Sequence, residues 1–183
     1  MSPSTLPARA RAGALRLQAA GSLVAIATVV LLVSLPRLRD FALRENESDA
    51  QRLVSRLGLL DARDAQGARG TQGPASPARS IRELVESQPA LARQLDDAEF
   101  LEGGTLLRRH GYLFDLALDS TGVSSARALR GWPWAHGRTG FTAFAWLPDR
   151  GMTAHANPAG LWSGPLRPPD LEEIAQWSSL DRP

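Results

Sequence analysis

The chain of 183 residues contains no cysteine and no lysine, and its only tyrosine is Tyr112. Without thiols it has no disulfide framework, and it tolerates either redox compartment. The missing lysines place all 21 basic charges on arginine, a usage that beside abundant alanine reads as genomic GC bias rather than chemistry. Because almost nothing titrates between histidine and arginine, a formal charge of +2 is enough to give a pI near 10.2. A value that high ordinarily points to nucleic acid or an acidic surface. Here three arginines (Arg9, Arg11 and Arg16) lie before the uncharged stretch that ends at Pro36, with no acid among them, and the chain from Arg37 onward sets 18 arginines against 19 acids. The basic excess is therefore a property of the N-terminus, and no nucleic-acid partner is expected. Also absent are a Gly-x-Ser-x-Gly elbow, a P-loop and a His-Glu-x-x-His motif. No catalytic residues, cofactor or small-molecule substrate are expected. With 43% hydrophobic and 22% charged residues, the composition excludes collagen-like and wholly disordered classes.

The chain does contain a long uncharged run, Leu17 to Pro36 (LQAAGSLVAIATVVLLVSLP). Twenty helical residues span about 30 Å, the hydrocarbon thickness of a bilayer. A soluble helix apolar on every face would need a larger protein around it than the rest of this chain provides. The run is also too long for a cleaved secretory signal and ends in Ser34-Leu35-Pro36-Arg37, so an uncleaved anchor is expected. Arg9, Arg11 and Arg16 before the run are nearly balanced in number by Arg37, Arg39 and Arg44 after it. The short, purely basic N-terminal flank is nevertheless the easier side to retain, so the N-terminus is expected in the cytoplasm and the bulk of the chain on the far side of the inner membrane. Gly21, Ser22 and Ala25 put small residues on about one helix face, which permits close helix packing in lipid, although alanine-rich helices carry such residues anyway.

Beyond Pro36 the helical period continues through Leu38, Phe41, Ala42, Leu53, Val54, Leu57 and Leu60, with charges between. The expected unit is one long helix over roughly residues 15–60, kinked at Pro36. The division is 1–13 as a basic leader or tail, 14–36 as the span, 37–60 as an amphipathic continuation, 61–79 as a Gly/Ala/Pro/Ser-rich linker and 80–183 as an extracytoplasmic domain. Ser80-Ile81-Arg82-Glu83 fits a capping box, and Gln88-Pro89 breaks the helical turns marked by Leu84, Val85, Leu91 and Leu95. After Gly103 the period becomes two: 112–118, 141–147 and 151–156 read as strands, and 119–140 as a long connection containing Trp132-Pro133-Trp134. Asn157-Pro158-Ala159-Gly160 reads as a turn, and 168–177 as a closing helical turn capped by Asp170. The fold class is α+β, a long N-terminal helix packed on a small antiparallel sheet.

Three stretches together resemble the type IV pilin and type II secretion pseudopilin superfamily. They are the basic leader Ala8-Arg9-Ala10-Arg11-Ala12-Gly13 before the apolar run, the post-proline stretch Pro36 to Glu47, and the strand segments Gly111-Tyr112-Leu113-Phe114, Gly140 to Trp146 and Ala156 to Trp162. The resemblance implies prepilin-type cleavage between Gly13 and Ala14, a membrane-held helix that packs with other pilin-like subunits, and a structural rather than catalytic role. Two positions depart from the family pattern. Gln18 stands where the mature chain usually has glutamate, and Arg16 where an apolar residue is usual. The departures leave open an uncleaved relative or a minor subunit that caps an assembly.

The remaining candidates are weighed from residue type alone. His110, His136 and His155 fit no ligand spacing, even with Asp115 or Asp149 added, and no metal is expected. Asp96, Asp97, Glu99 and Glu102 form an acidic run whose usual explanation is a solvated surface. All five tryptophans lie after residue 131. Trp146 and Trp162 are expected in the core, whereas Trp132 and Trp134 are either core or an exposed partner-binding pair. Exposed, they would support a second reading, a signal-anchored binding module for a protein or carbohydrate. Asn46-Glu47-Ser48 matches a glycosylation sequon inside a predicted helix.

Overall fold

A computed structural model describes the backbone of residues 8–70, 80–118 and 127–180 and the side chains of 28–63, 80–118 and 127–180. Helix α1 runs from Ala8 to Gly70 and carries Pro36 inside it. Its C-terminal end corrects the linker expected at 61–79. Residues 61–70 are helical in spite of two glycines: alanine and arginine, half of DARDAQGARG, are among the strongest helix formers and continue a helix already begun. The rest of that linker lies outside the described residues. Two short helices come next. α2 (Ile81–Glu86) starts at the Ser80/Glu83 capping box, and α3 (Pro89–Gln94) places its proline at the first helical position, where no backbone N–H is required.

The sheet has seven antiparallel strands in sequential order: β1 (Glu99–Leu101), β2 (Leu106–Arg109), β3 (Tyr112–Leu118), β4 (Arg127–Pro133), β5 (Ala143–Leu147), β6 (Gly151–His155) and β7 (Ser178–Ser179). β3, β5 and β6 match the period-two segments. β4 is a correction, because it occupies the middle of the expected 119–140 connection. Its sequence RALRGWP hides a strand behind a charge, Arg130. That arginine is buried because Asp115 lies directly opposite it on β3 and accepts from two guanidinium nitrogens. Pro169 O accepts a further bond from Arg130 at 2.6 Å. β2 is equally hidden in the sequence. Its turn into β3 is His110-Gly111, both at positive φ (44° and 75°), the backbone of a two-residue type I′ hairpin.

Alternation along the strands feeds two cores. One face of the sheet, with Leu107, Tyr112, Phe114, Leu129, Phe144 and Met152, packs against α1, α2 and α3. The other, with Leu106, Leu113, Ala128, Trp132, Ala143 and Ala145, packs under the C-terminal segment through Trp162, Ile174 and Trp177. That segment is closed by α4 (Leu171–Ile174), whose Asp170/Glu173 capping box matches the expected helical turn. Glu173 also accepts the Trp162 indole N–H at 2.9 Å, tying the helix to the aromatic core. Asn157, at φ 47°, bonds both backbone groups of Trp162 and so closes the 157–162 loop.

On the helical side the backbones come close. A Cβ on Gly131 of β4 would meet Val54 Cγ2 at 2.7 Å and the Phe114 ring at 3.2 Å, and one on Gly58 would overlap the Trp146 indole. By contacts the chain divides into two units, Met1–Ala42 and Leu43–Pro183. The apolar stripe of α1 that enters the core therefore starts at Leu43, not at Leu38 and Phe41, which are exposed.

Truncating Leu57, which is fully buried, to alanine should cost about 2–5 kcal/mol. Gly131→Ala should cost about 1–3 kcal/mol through overpacking. Leu166→Ala, at an exposed site, should stay within about 0.5 kcal/mol. Urea unfolding of the three variants checks the order; an unchanged midpoint for Gly131→Ala would refute the close approach of α1 to β4.

Candidate functional site

Two features of α1 stand out. The first is exposure. Every large apolar side chain from Val29 to Leu35 is more than half exposed, on all sides of the helix, and Leu38 and Phe41 reach 63% and 68%. Contiguous exposed apolar surface of this kind marks a contact site for protein or lipid. Among the described residues no helix is long and apolar enough to cross a membrane. Of the expected span Leu17–Pro36, residues 17–27 lie outside the described side chains. The same holds for Gly13, Ala14, Gly21, Ser22 and Ala25. Their backbone is helical, so the Gly13–Ala14 bond lies within α1, but their surroundings are not described. Pro36 is inside α1 and exposed.

The second feature is a row of polar attachments where α1 enters the sheet unit. Asn46 donates to Thr139 O at 3.0 Å, which gives the sequon asparagine a structural bond. One oxygen of Glu47 accepts the backbone N–H groups of Phe141 (2.7 Å) and Thr142 (3.1 Å). Asp49 accepts from Arg109 at 3.1 Å and lies 2.7 Å from His110 Nδ1. The other ring nitrogen of His110 lies 2.7 Å from Asp97, which also accepts from Arg109 Nε at 2.9 Å. Both ring nitrogens thus face carboxylate oxygens. Further along, Asp61 pairs with Arg127 of β4.

Burial, reinforced by the nearby Glu47 carboxylate, pushes the Tyr112 hydroxyl far above its ordinary value; the hydroxyl donates to Thr142 O at 3.0 Å. At Asp97 desolvation works upward, but the Arg109 hydrogen bond and the charges of Arg109 and His110 together hold the carboxyl below its ordinary 3.8. Beside this corner, a cleft of about 440 Å³ between α1 and α3 is rimmed by Arg52, Arg56, Arg93 and Arg109 over a floor of leucines. Its arginines are engaged. Arg52 faces Glu45 and Asp49, Arg56 bonds Gln94, and Arg93 bonds Pro89 O.

Trp132 is fully buried on β4, its indole N–H donating to Gly164 O at 2.8 Å, and Trp134 is half-buried under the Arg108 guanidinium. They do not stand as an exposed pair; Trp132 belongs to the second core with Trp162 and Trp177, and Trp134 packs against it. Trp162 and Trp177 are buried with His155 against them, and Trp146 is half-buried against α1. The histidines occupy three settings: the ionic corner for His110, an edge contact with Phe141 for His136, and the tryptophan cluster for His155. Within the acidic run, Asp97 is taken by Arg109 and His110 and Glu99 by Arg108. Among the described residues no three His, Cys, Asp or Glu side chains are grouped to hold a metal. Sequence reasoning missed the ionic corner, for which the only local signal was the Arg-Arg-His-Gly turn.

Because Tyr112 is the only tyrosine, the rise in near-ultraviolet absorbance that accompanies phenolate formation reports its ionisation alone. The hydroxyl's folded value is raised, so its contribution to stability is complete below the unfolded value of about 10 and is lost as pH rises through the folded value. Phenolate absorbance should appear only together with loss of sheet structure; ionisation near pH 10 with the sheet intact would refute the buried placement. Asp97 has the opposite sign. Its contribution is present above the unfolded value and lost as pH falls through the depressed folded one. Asp97→Asn should be less stable than the native chain near neutral pH and converge with it in acid, as read by urea titrations across that range. Compared with family models, with curated proteins and with solved structures, the chain matches none.

Proposed function

We propose that the chain is a pilin-like or pseudopilin-like single-pass membrane protein, a structural subunit, minor or terminal, of a secretion or pilus assembly. The observation that carries this reading is the change of surroundings along one uninterrupted helix. From Val29 to Leu35 α1 exposes apolar side chains on every side, and from Leu43 onward it buries a single stripe in an antiparallel sheet. A helix exposed in this way is stable in lipid or among other apolar helices and unfavourable in water. The basic N-terminal residues retain that end in the cytoplasm, and the sheet unit is exported and faces partners. The sheet and the side-by-side arrangement of α1 upon it support the resemblance to the pilin superfamily. The alternative of a tryptophan-based binding module loses its main support, since Trp132 is core.

Because the chain is free of cysteine, Val30→Cys introduces a unique thiol. In native membranes the variant should resist alkaline carbonate extraction and form disulfide-linked pairs with itself or with thiol-bearing partner subunits under mild oxidation. The intact mass of the purified protein reports whether the chain begins at Ala14. Release of the protein by carbonate would end the membrane reading, and full retention without any cross-linked species would end the subunit reading.

A further inference from the structure

A phenylalanine exposed to 68% only two residues before a buried leucine requires an explanation. Phe41 and Leu38 are among the most exposed large side chains of α1, yet Leu43 is 7% exposed and belongs to the sheet unit. The same turn carries Arg37, Arg39 and Asp40, all exposed. Phe41 lies four residues after Arg37 and three after Leu38, so the three side chains share one side of the helix. Neither uniform environment suits this turn. Water leaves Phe41 and Leu38 unburied, and hydrocarbon makes Arg37 and Asp40 costly. The layer that accommodates both is the boundary of a bilayer, where apolar side chains reach the upper acyl carbons and charged ones remain among headgroups. Sequence distance agrees, for this turn comes directly after the 20-residue uncharged run that ends at Pro36.

Resting on the membrane-spanning reading of α1, we infer that Arg37, Leu38 and Phe41 form an interfacial collar that docks in the headgroup layer of an anionic phospholipid bilayer. Leu38 and Phe41 wedge between lipids, and the Arg37 guanidinium binds lipid phosphate. Arginine suits that contact because its planar fork donates two N–H bonds to one phosphate. Among the described residues Arg37 has no ion pair, so its donors are available to a ligand. With Arg39 beside it the turn keeps a net positive charge over Asp40, which matches an anionic rather than a zwitterionic surface. The collar fixes how far the helix slides along its axis, a restraint that the all-apolar segment before it does not provide.

The experiment uses the full chain, which offers no competing thiol. An environment-sensitive label is placed at Leu38→Cys, with Val30→Cys as the deep reference and Leu161→Cys, exposed on the sheet unit, as the aqueous one. Each is reconstituted in vesicles of phosphatidylglycerol with phosphatidylethanolamine, or of phosphatidylcholine alone. Expected is strongest quenching of the 38 label by a shallow lipid-borne quencher, of the 30 label by a deep one and of the 161 label by aqueous iodide. Arg37→Gln and Phe41→Ser should each raise iodide quenching at 38 by about two- to fivefold, and the arginine effect should be confined to the anionic vesicles. A 30 label in water overturns the membrane span and the collar with it. A deep 30 label beside a 38 label as iodide-accessible as the 161 label overturns the collar while the span stands. A 38 label shielded from iodide and from both lipid quenchers identifies a second copy's helix as the occupant and likewise overturns it. An Arg37→Gln variant indifferent to lipid charge overturns the phosphate contact.

Discussion

The stripe Ala50, Leu53, Val54 and Leu57 of α1, pressed onto one face of the sheet, is the contact on which the rest of the unit depends. Burial of a large apolar side chain contributes about 1.5–3 kcal/mol, whereas an exposed ion pair contributes about 0–1 kcal/mol. The stripe therefore holds the helix, and the charges around it choose its register. Two glycines set the distance. Gly58 on the helix accommodates Trp146, and Gly131 on β4 accommodates Val54. With side chains at those places the helix would stand off from the strands, and the leucines on either side would lose their contacts. α2 and α3 complete the same core through Ile81, Leu84, Val85 and Leu91, so their position depends on that of α1.

A sheet with one covered face would leave Leu113, Trp132 and Ala145 in water. The C-terminal segment covers them, and this explains why three tryptophans, Trp132, Trp162 and Trp177, gather where no long helix is available to pack. Large rings fill a layer built from a loop and one helical turn better than small side chains do. The second core also accounts for Arg130. Its charge is carried on an interior strand because Asp115, Pro169 O and the Trp132 ring surround it, and removing any one partner of a buried pair is costlier than the pair itself is stabilising.

Much of this arrangement is legible in the sequence where local pattern and tertiary role agree. The Ser80/Glu83 box, the Gln88-Pro89 break, β3, β5, β6 and the Asp170 cap are of that kind. β4 and β2 are not, because the residues that make them strands lie elsewhere in the chain. Arg130 needs Asp115, and Arg109 needs Asp49 and Asp97. The first ten residues of the linker expected at 61–79 are helical for a related reason: Asp61 is held by Arg127, sixty-six residues away, and α1 continues to Gly70. Leu38 and Phe41 continue the apolar period of the buried stripe, and periodicity alone does not tell a core-facing side chain from one that awaits a partner. The tryptophan pair divided for the same reason, since the indole of Trp132 finds its acceptor on Gly164 only once the C-terminal segment has folded over it.

The polar attachments of α1 are unevenly spread, and their distribution has a mechanical meaning. Asn46, Glu47 and Asp49 occupy a single turn, three residues after the helix enters the sheet unit, and each holds a different piece of backbone or side chain there. Apolar contacts resist separation but slide and rotate at little cost, because they have no preferred direction. Hydrogen bonds and paired charges are directional and fail within a few tenths of an ångström. A turn with three directional attachments therefore fixes the azimuth and axial position of this part of α1 on the sheet. Asn46 and Glu47 grip the 139–142 loop, whose Gly140 lies against the Tyr112 ring and whose Thr142 carbonyl receives the Tyr112 hydroxyl. The turn is thus joined through one loop and one buried phenol to β3, the strand with the most extensive pairing in the sheet.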